Sequence, residues 1–248
     1  MPQTESMRRA ALVTGGAKGI GRAVCLALAE NGMNIAVNYA GSAAAAEETA
    51  AACRAFGVQA ITLQADVRSP EACQNLVEDT AAAFGRIDVL VNNAGISFVG
   101  LLQDMSDAQW SEILNTNLSS VFYCCRSAIS HMVSQKSGKI INISSMWGTV
   151  GASCEAAYSA TKSGMNGLTK ALAKELAPSN VQVNAIACGV IDTAMNAQFS
   201  EEEREALREE IPAGRFADSE EVAALALTLA SGHSYLTGQI IGLDGGYI

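Results

Sequence analysis

The chain has 248 residues, of which 49% are hydrophobic and 17% charged, and its formal net charge at pH 7 is −9. This acidic balance disfavours nucleic-acid binding, because no basic stripe is available to release counterions from phosphates. No apolar run approaches the roughly 20 residues that a bilayer span requires, so we expect no membrane partner. The length suits a single domain over residues 1–248, and residues 1–8, which have no apolar signal region, are expected to form a flexible tail.

The seven cysteines are scattered without the paired spacing of metal ligands. This distribution is typical of reduced, mostly buried thiols in a cytoplasmic protein, and we expect no metal site. The two histidines, His131 and His233, are interpreted as structural, which leaves few candidates for a Ser-His-Asp hydrolase.

A glycine-rich turn follows the first predicted strand, Ala10–Val13. It reads Thr14-Gly-Gly-Ala-Lys-Gly-Ile-Gly21 and leads into a predicted helix from about Arg22 to Glu30. Glycines let a backbone approach a ligand, and the unpaired N–H groups of a helix start attract negative charge. The flanking strand and helix therefore favour a phosphate cradle over an ordinary turn.

The second predicted strand, Asn34–Tyr39, is followed by Ala-Gly-Ser at 40–42, with no acidic residue before Glu47. A site that prefers NAD(H) usually offers a carboxylate to the adenosine ribose at this point. Nothing here would repel a 2′-phosphate, and Lys18 could attract one. The sequence thus favours NADP(H), with NAD(H) as the open alternative.

Further predicted strands at 60–64 and 87–91 alternate with helices at 43–56 and 70–84. This alternation predicts a parallel sheet covered by helices on both faces, with the site at the carboxyl ends of the strands. The residues that follow the strands are then candidates for cofactor contact: Asp66, Val67 and the stretch Asn92-Asn-Ala-Gly95.

A long helix is predicted over 107–134, interrupted near Asn115-Thr-Asn117. Asn117 is either a satisfied core amide or the holder of a water chain. The next predicted strand, 139–143, ends at Ser144 and Ser145.

Tyr158 and Lys162 stand four apart at the start of a helix predicted to reach Ala177, so they share one face. A free phenol has a pKa of about 10, and a neighbouring cation should lower that pKa. A Ser145 hydroxyl at the strand end could meet the tyrosine and hold a carbonyl oxygen between two donors. The alternative is a helix on which a tyrosine and a lysine stand together by chance.

The rest of the chain predicts a strand at 181–186, a loop at 188–193, a substrate lid over 194–216, a helix at 219–230 and a last strand at 239–243. The lid contains a strongly acidic helix at 200–210.

Together these motifs resemble the short-chain dehydrogenase/reductase family over essentially the whole chain. They are Thr14-Gly-x-x-x-Gly-x-Gly21, Asp66, Asn92-Asn-Ala-Gly95, Asn117, Ser145 and Tyr158-x-x-x-Lys162. The resemblance implies a single-domain Rossmann fold, a doubly wound parallel sheet of about seven strands, and hydride transfer between a nicotinamide cofactor and a carbonyl group. Cys188 departs from the family, which usually has proline there.

The resemblance also implies roles. Tyr158 would be the proton donor and acceptor and Ser145 would position the carbonyl. Lys162 would lower the Tyr158 pKa and bind the nicotinamide ribose, Asn117 would hold the relay water, and Ile191 and Thr193 would hold the carboxamide. The full set of expected cofactor-binding residues is Gly15, Lys18, Gly19, Ile20, Gly21, Asn38, Tyr39, Ser42, Asp66, Val67, Asn93, Ala94, Gly95, Tyr158, Lys162, Ile191 and Thr193.

Within the family, the chain looks most like the bacterial 3-oxoacyl-acyl-carrier-protein reductases, which use NADPH and form homotetramers. Of the basic pair on which those reductases dock their carrier, Lys136 is present and Ser179 replaces the other. Glu155 stands where they commonly carry glutamine. This acid and the lid favour an alternative substrate with a cation, such as the 5-aminopentanone on elongation factor P reduced by a similar bacterial group.

The expected substrate-contacting residues are Ser145, Trp147, Glu155 and Tyr158. A non-catalytic nucleotide-binding sensor or scaffold is a further alternative, which the intact catalytic set disfavours. A homotetramer would pair the stretch 119–125 and the Tyr158 helix across one two-fold axis and use the last strand in a second interface.

Overall fold

The computed structural model describes residues 8–193 and 200–248. The first seven residues of the expected tail and positions 194–199 of the expected lid lie outside the described residues.

The sheet has seven parallel strands in the order β3-β2-β1-β4-β5-β6-β7, which confirms the predicted doubly wound topology. Its neighbouring strands pair in parallel along the whole sheet. The strands are β1 (Ala10–Val13), β2 (Asn34–Tyr39), β3 (Ala60–Gln64), β4 (Val89–Asn92), β5 (Gly138–Ser145), β6 (Val181–Cys188) and β7 (Ile240–Leu243).

Helices cover both faces of the sheet. They are α1 (Gly19–Glu30), α2 (Ala43–Arg54), α3 (Pro70–Phe84), α4 (Asp107–Leu114), α5 (Ser120–Gln135), α6 (Trp147–Val150), α7 (Ala156–Leu176), α8 (Glu201–Glu210) and α9 (Ser219–Ser231). A π-helical turn, Asn115–Ser119, joins α4 to α5 at the predicted interruption, and short 3-10 turns lie at Leu102–Asp104 and Ala177–Ser179.

Two hydrophobic cores lie on opposite faces of the sheet. Successive residues of β1 alternate between them, since side chains of a strand point to opposite faces. Ala11 and Val13 pack in the core that includes α1, α2 and α9, whereas Ala10 and Leu12 pack in the core that includes α3, α5 and α7. The central strands are therefore buried on both sides, as expected for a parallel sheet.

Three element boundaries differ from the prediction in ways that position the site. Helix α1 begins inside the glycine turn, at Gly19 rather than near Arg22. Strand β4 begins at Val89 rather than 87. Strand β5 includes Ser144 and Ser145, because β6 also runs on and pairs Ser145 with Cys188. Ser145 thus lies at the end of a paired strand, as predicted.

The cysteines are all free, and six of them are buried while Cys154 is exposed. The His131 ring lies 3.2 Å from a Glu78 carboxylate oxygen, consistent with a structural role. Within 8–193 and 200–248 there is no group of three side chains suited to hold a metal ion. Over the same ranges, no helix combines the length and the hydropathy that crossing a membrane would need.

Gly21→Ala should destabilise the protein, because the glycine turn closes on the first turn of α1 at this point. A Cβ at Gly21 would overlap the Gly15 carbonyl oxygen and lie 2.5 Å from Asn93 Nδ2. Overpacking of this kind costs ~1–3 kcal/mol, so the melting temperature should fall by roughly 2–10 °C. Gly232→Ala is the matched control, since no described atom lies within 4 Å of its Cβ position. Equal melting temperatures for the two variants would contradict this close packing.

Candidate active site

A cavity of about 420 Å³ opens at the carboxyl ends of the central strands. Its wall is contributed by the glycine turn, the segments after β4 and β6, the end of β5, the start of α7, and Leu207 of α8. Parallel α/β sheets place ligands at this edge, because the strand ends and helix starts converge there.

Most of the predicted site residues meet in this cavity. Those that line it are Gly15, Lys18, Gly19, Ile20, Asn93, Ala94, Gly95, Ser145, Trp147, Glu155, Tyr158, Lys162, Ile191 and Thr193. Those outside its wall are Gly21, Asn38, Tyr39, Ser42, Asp66, Val67 and Asn117. Asn117 lies in the π-helical turn, and the others of the second set belong to the layer behind the glycine turn or to the segments after β2 and β3.

Hydrogen bonds from the segment after β4 fix the conformation of the glycine turn. Asn93 Nδ2 donates to the Thr14 and Gly15 carbonyl oxygens, at 2.9 and 3.1 Å. The backbone N–H groups of Asn93 and Ala94 both donate to Thr14 Oγ1, at 2.9 and 3.0 Å. With Gly15 and Gly19 at φ +62° and +52°, the turn presents backbone and the start of α1 to the cavity. A pyrophosphate fits such a surface, because backbone N–H groups at a helix start favour anions.

Asn38, which is predicted to contact the cofactor, makes hydrogen bonds within the protein. Its Oδ1 accepts a hydrogen bond from the Gly15 N–H at 3.1 Å, and its Nδ2 donates to the Ala65 and Leu63 carbonyl oxygens at 3.1 and 3.3 Å. The side chain is buried. It therefore joins β2, β3 and the glycine turn, and supports the cradle from behind.

The Asp66 carboxylate at the end of β3 is held by Arg68, which the sequence did not single out. Arg68 contacts both carboxylate oxygens, with Nη2 at 2.7 Å from Oδ2, and its Nη1 lies 2.9 Å from Glu112 of α4. Hydrogen bonding to Arg68 lowers the pKa of Asp66. Both side chains of the pair are about half exposed, so the pair contributes little to the stability of the fold.

Tyr158 and Ser145 both line the cavity, and the Ser145 hydroxyl acts on the phenol closely enough to influence its pKa. Burial raises the pKa of the Tyr158 phenol, and the Ser145 hydroxyl partly opposes that rise. The net direction is opposite to the one expected from the lysine, because burial removes water from around the phenolate and so disfavours the charged form. The phenol is accordingly protonated at neutral pH.

Lys162 is buried, and its Nζ donates to the Ile143 carbonyl oxygen at 2.8 Å. Nζ lies 5.5 Å from the centre of the Tyr158 ring, so the two side chains do share a face of α7 as predicted. Burial lowers the pKa of Lys162 to about 8. At neutral pH the ammonium form still predominates.

Asn117 is a satisfied amide within the π-helical turn. Its Oδ1 accepts from the Ile96 N–H and its Nδ2 donates to the Ile96 carbonyl oxygen, both at 2.8 Å, while Thr161 Oγ1 lies 3.3 Å away. The side chain holds the loop after β4. A Cβ on Gly95 would be 3.3 Å from Asn117 Oδ1 and 3.7 Å from Lys162 Nζ, so these residues are neighbours. Asn117 as the holder of a relay water stays a prediction.

Trp147 and Glu155, both predicted to contact substrate, line the cavity together. Burial raises the pKa of Glu155, and the interaction with Trp147 partly opposes it. Cys188 also lines the wall, and burial raises the pKa of its thiol to about 12, which leaves it a neutral group.

Several lining residues were not predicted as site residues: Ser97, Val99, Ile143, Ser144, Met146, Gly189, Val190 and Leu207. Most of them follow the ends of β4, β5 and β6, so their position relative to the strand ends was the available signal. Ser144 Oγ donates to Asn166 of α7 at 2.7 Å. Of the two adjacent serines, Ser145 is thus the one paired with Tyr158.

Known proteins resemble this chain over nearly its full length. A family model described as short chain dehydrogenase matches residues 9–204. The 3-oxoacyl-[acyl-carrier-protein] reductase FabG of Staphylococcus aureus strain Mu50 is 43% identical over 97% of this chain and 98% of that protein. The 3-oxoacyl-[acyl-carrier-protein] reductase of a Synechocystis species is 44% identical over 96% of both chains.

A solved structure from Sinorhizobium meliloti 1021, assigned to the short-chain alcohol dehydrogenases, superposes with a TM-score of 0.92. It is 40% identical, and the match covers 96% of each chain. The chain therefore belongs to the short-chain dehydrogenase family of NAD(P)-dependent oxidoreductases, which act on carbonyl and hydroxyl groups.

Proposed function

We propose that the protein is an NADPH-dependent ketone reductase that acts on 3-oxoacyl groups carried by acyl carrier protein. The observation that carries this proposal is that Ser145, Tyr158 and Lys162 line the same cavity as the glycine turn, with Lys162 Nζ 5.5 Å from the centre of the Tyr158 ring. Two reductases named for 3-oxoacyl-[acyl-carrier-protein] are above 40% identical over nearly the full chain. The same features disfavour a non-catalytic sensor, which would need none of the three polar side chains.

The residues divide the reaction between them. Bound NADPH would supply the hydride to the carbonyl carbon of the substrate. Ser145 Oγ and the Tyr158 hydroxyl would both donate to the carbonyl oxygen, and Tyr158 would give up its proton as negative charge develops there. A raised phenol pKa keeps that proton available at neutral pH, and the Lys162 ammonium compensates the phenolate that remains.

The preference for NADPH over NADH rests on charge around the end of β2. The first acid after the strand, Glu47, is ion-paired with Arg54, so its carboxylate is already engaged. Lys18 is exposed at the start of α1, with no ion pair among the residues that the structure describes. A 2′-phosphate would find a cation and no unpaired carboxylate there.

A second candidate, reduction of a ketone that carries a cation, is favoured by one observation: Glu155 lines the cavity. The acidic helix α8 supports it less than its composition suggests. Its Arg208 pairs with Glu201 and Glu205, Glu203 caps the helix, and Glu210 accepts from Tyr247. Glu155 is therefore the residue on which this candidate depends.

We also propose cytoplasmic homotetramers. Phe122 of α5 lies in the stretch expected to pair across a two-fold axis and is 45% accessible, and Trp110 of the preceding helix α4 is 40% accessible.

Tyr158→Phe should lower kcat for acetoacetyl thioester reduction by roughly 100-fold or more, the usual scale for a lost general acid. NADPH affinity, measured by fluorescence titration, should change little. Tyr235→Phe is the matched control, because Tyr235 is fully exposed. Turnover near the wild-type value in Tyr158→Phe would refute the proton-donor role.

Wild-type protein should show a lower KM for NADPH than for NADH. Ala40→Asp should shift the ratio of the two kcat/KM values towards NADH by about tenfold, since it adds a ribose partner and repels the 2′-phosphate. Ala40→Asn is the matched control, because it adds a side chain of the same size as aspartate without the negative charge. Steady-state kinetics with both cofactors measures the ratio, and a wild-type preference for NADH would overturn the assignment.

Glu155→Gln distinguishes the two substrate candidates. If the pocket selects a cation, the variant should lose roughly threefold or more in kcat/KM for an amino-ketone relative to acetoacetyl-CoA, and high salt should shrink this loss. Glu202→Gln, an exposed position on α8, is the control for general surface charge. If the ratio of the two kcat/KM values is unchanged at both salt concentrations, the cationic-ketone candidate is refuted and only the acyl-thioester candidate remains.

A further inference from the structure

The last five residues, 244–248, fold back onto the segment that leads out of α8. The Ala213 N–H donates to the Gly245 carbonyl oxygen at 3.0 Å. Gly245 and Gly246 both have positive φ, +67° and +84°, and a Cβ on Gly245 would lie 2.9 Å from Ile211. The two glycines therefore allow a turn that packs against this segment and directs the next residue, Tyr247, back towards the cavity wall.

Tyr247 contacts two separate elements. Its ring packs edge-on against Trp147 of α6, with the ring centres 5.6 Å apart and the planes at 86°. Its hydroxyl donates a hydrogen bond to Glu210, the last residue of α8. Aromatic edge-to-face pairs stabilise a defined relative orientation, and a hydrogen bond at the far end of the ring restricts it further.

Trp147 connects Tyr247 to the cavity, because it contacts the Tyr247 ring and lines the cavity wall. Its side chain lines the wall together with Glu155, and its interaction with the Glu155 carboxylate opposes the rise that burial causes in the pKa of that acid. Four side chains thus form one continuous series: Glu210, Tyr247, Trp147 and Glu155. Among the described residues, the hydrogen bond of Tyr247 is made to Glu210 and its ring contact to Trp147. Neither contact is made with Ser145, Tyr158 or Lys162.

We propose that Tyr247 is a positioning residue for the substrate wall: its ring orients Trp147, and Trp147 in turn orients Glu155. This inference rests on the proposed ketone reduction, because it assigns the substrate side of that cavity. Tyr247 affects how the ketone is bound and leaves proton transfer to the Ser145–Tyr158 pair.

Tyr247→Leu removes both the ring and the hydroxyl. It should raise KM for acetoacetyl-CoA about 3- to 10-fold, the scale of a lost aromatic pair, with kcat and the KM for NADPH within twofold of wild type. Tyr235→Leu is the matched control, a fully exposed tyrosine in the same part of the chain. A fall in kcat and melting temperature with no selective rise in the ketone KM would reduce Tyr247 to a fold-stabilising role and overturn the proposal.

Glu210 supplies a second test that leaves the aromatic pair in place. Glu210→Gln keeps an acceptor for the tyrosine hydroxyl and should retain the wild-type KM. Glu210→Leu and Tyr247→Phe should each raise KM about two- to fivefold, and their combination should add little, because both remove the same hydrogen bond. Fully additive effects would show that the two residues act independently, contrary to the proposed series.

Tryptophan emission tests the orientation without any turnover. The chain has two tryptophans, so a Trp110→Phe background leaves Trp147 alone. In that background Tyr247→Leu should shift the emission to longer wavelength, and Glu210→Gln should not. If the wild-type protein reduces no ketone, the proposed function is refuted. The emission spectra would still show whether Tyr247 contacts Trp147. An unchanged spectrum, or a shifted spectrum with an unchanged ketone KM, would overturn the positioning role.

Discussion

The buried ammonium of Lys162 is the constraint on which the site depends. A charged amine removed from water needs a close partner, and here the Ile143 carbonyl oxygen of β5 provides one at 2.8 Å. That bond requires α7 to lie directly against β5 at the carboxyl end of the sheet. The same placement brings Tyr158, one turn earlier on α7, to Ser145, two residues beyond Ile143 on β5.

Small and polar residues maintain this approach of helix to strand. A Cβ on Gly148 would lie 2.8 Å from the Lys162 backbone, so only glycine permits α6 to pack there. The Gly148 carbonyl oxygen accepts from Ser163 and Asn166, at 2.9 and 3.1 Å. Asn166 also accepts from Ser144 of β5. This hydrogen bonding holds the first half of α7 against α6 and the end of β5.

Local sequence was sufficient to predict the strands, the glycine turn and the face shared by Tyr158 and Lys162, because these depend on periodicity and short spacings. It was not sufficient for contacts between distant segments. The hydrogen bond from the Gly15 N–H to Asn38 joins residues 23 apart and could not be derived from local spacing, while the cofactor contacts of Asn38 and Asp66 stay predictions. The direction of the Tyr158 pKa shift was also wrong, since burial depends on packing that the tyrosine–lysine spacing does not contain.

The two sides of the cavity are built differently, and this difference bears on how such an enzyme can change its substrate. Ser145, Tyr158 and Lys162 are positioned by strand register and by main-chain hydrogen bonds, which tolerate little variation. Trp147 and Glu155 are positioned by side chains, through Tyr247 from the end of the chain. Replacing one of those side chains alters the wall without moving the strands. In the proposed reaction, the fold would thereby separate the groups that transfer the proton from the groups that select the ketone.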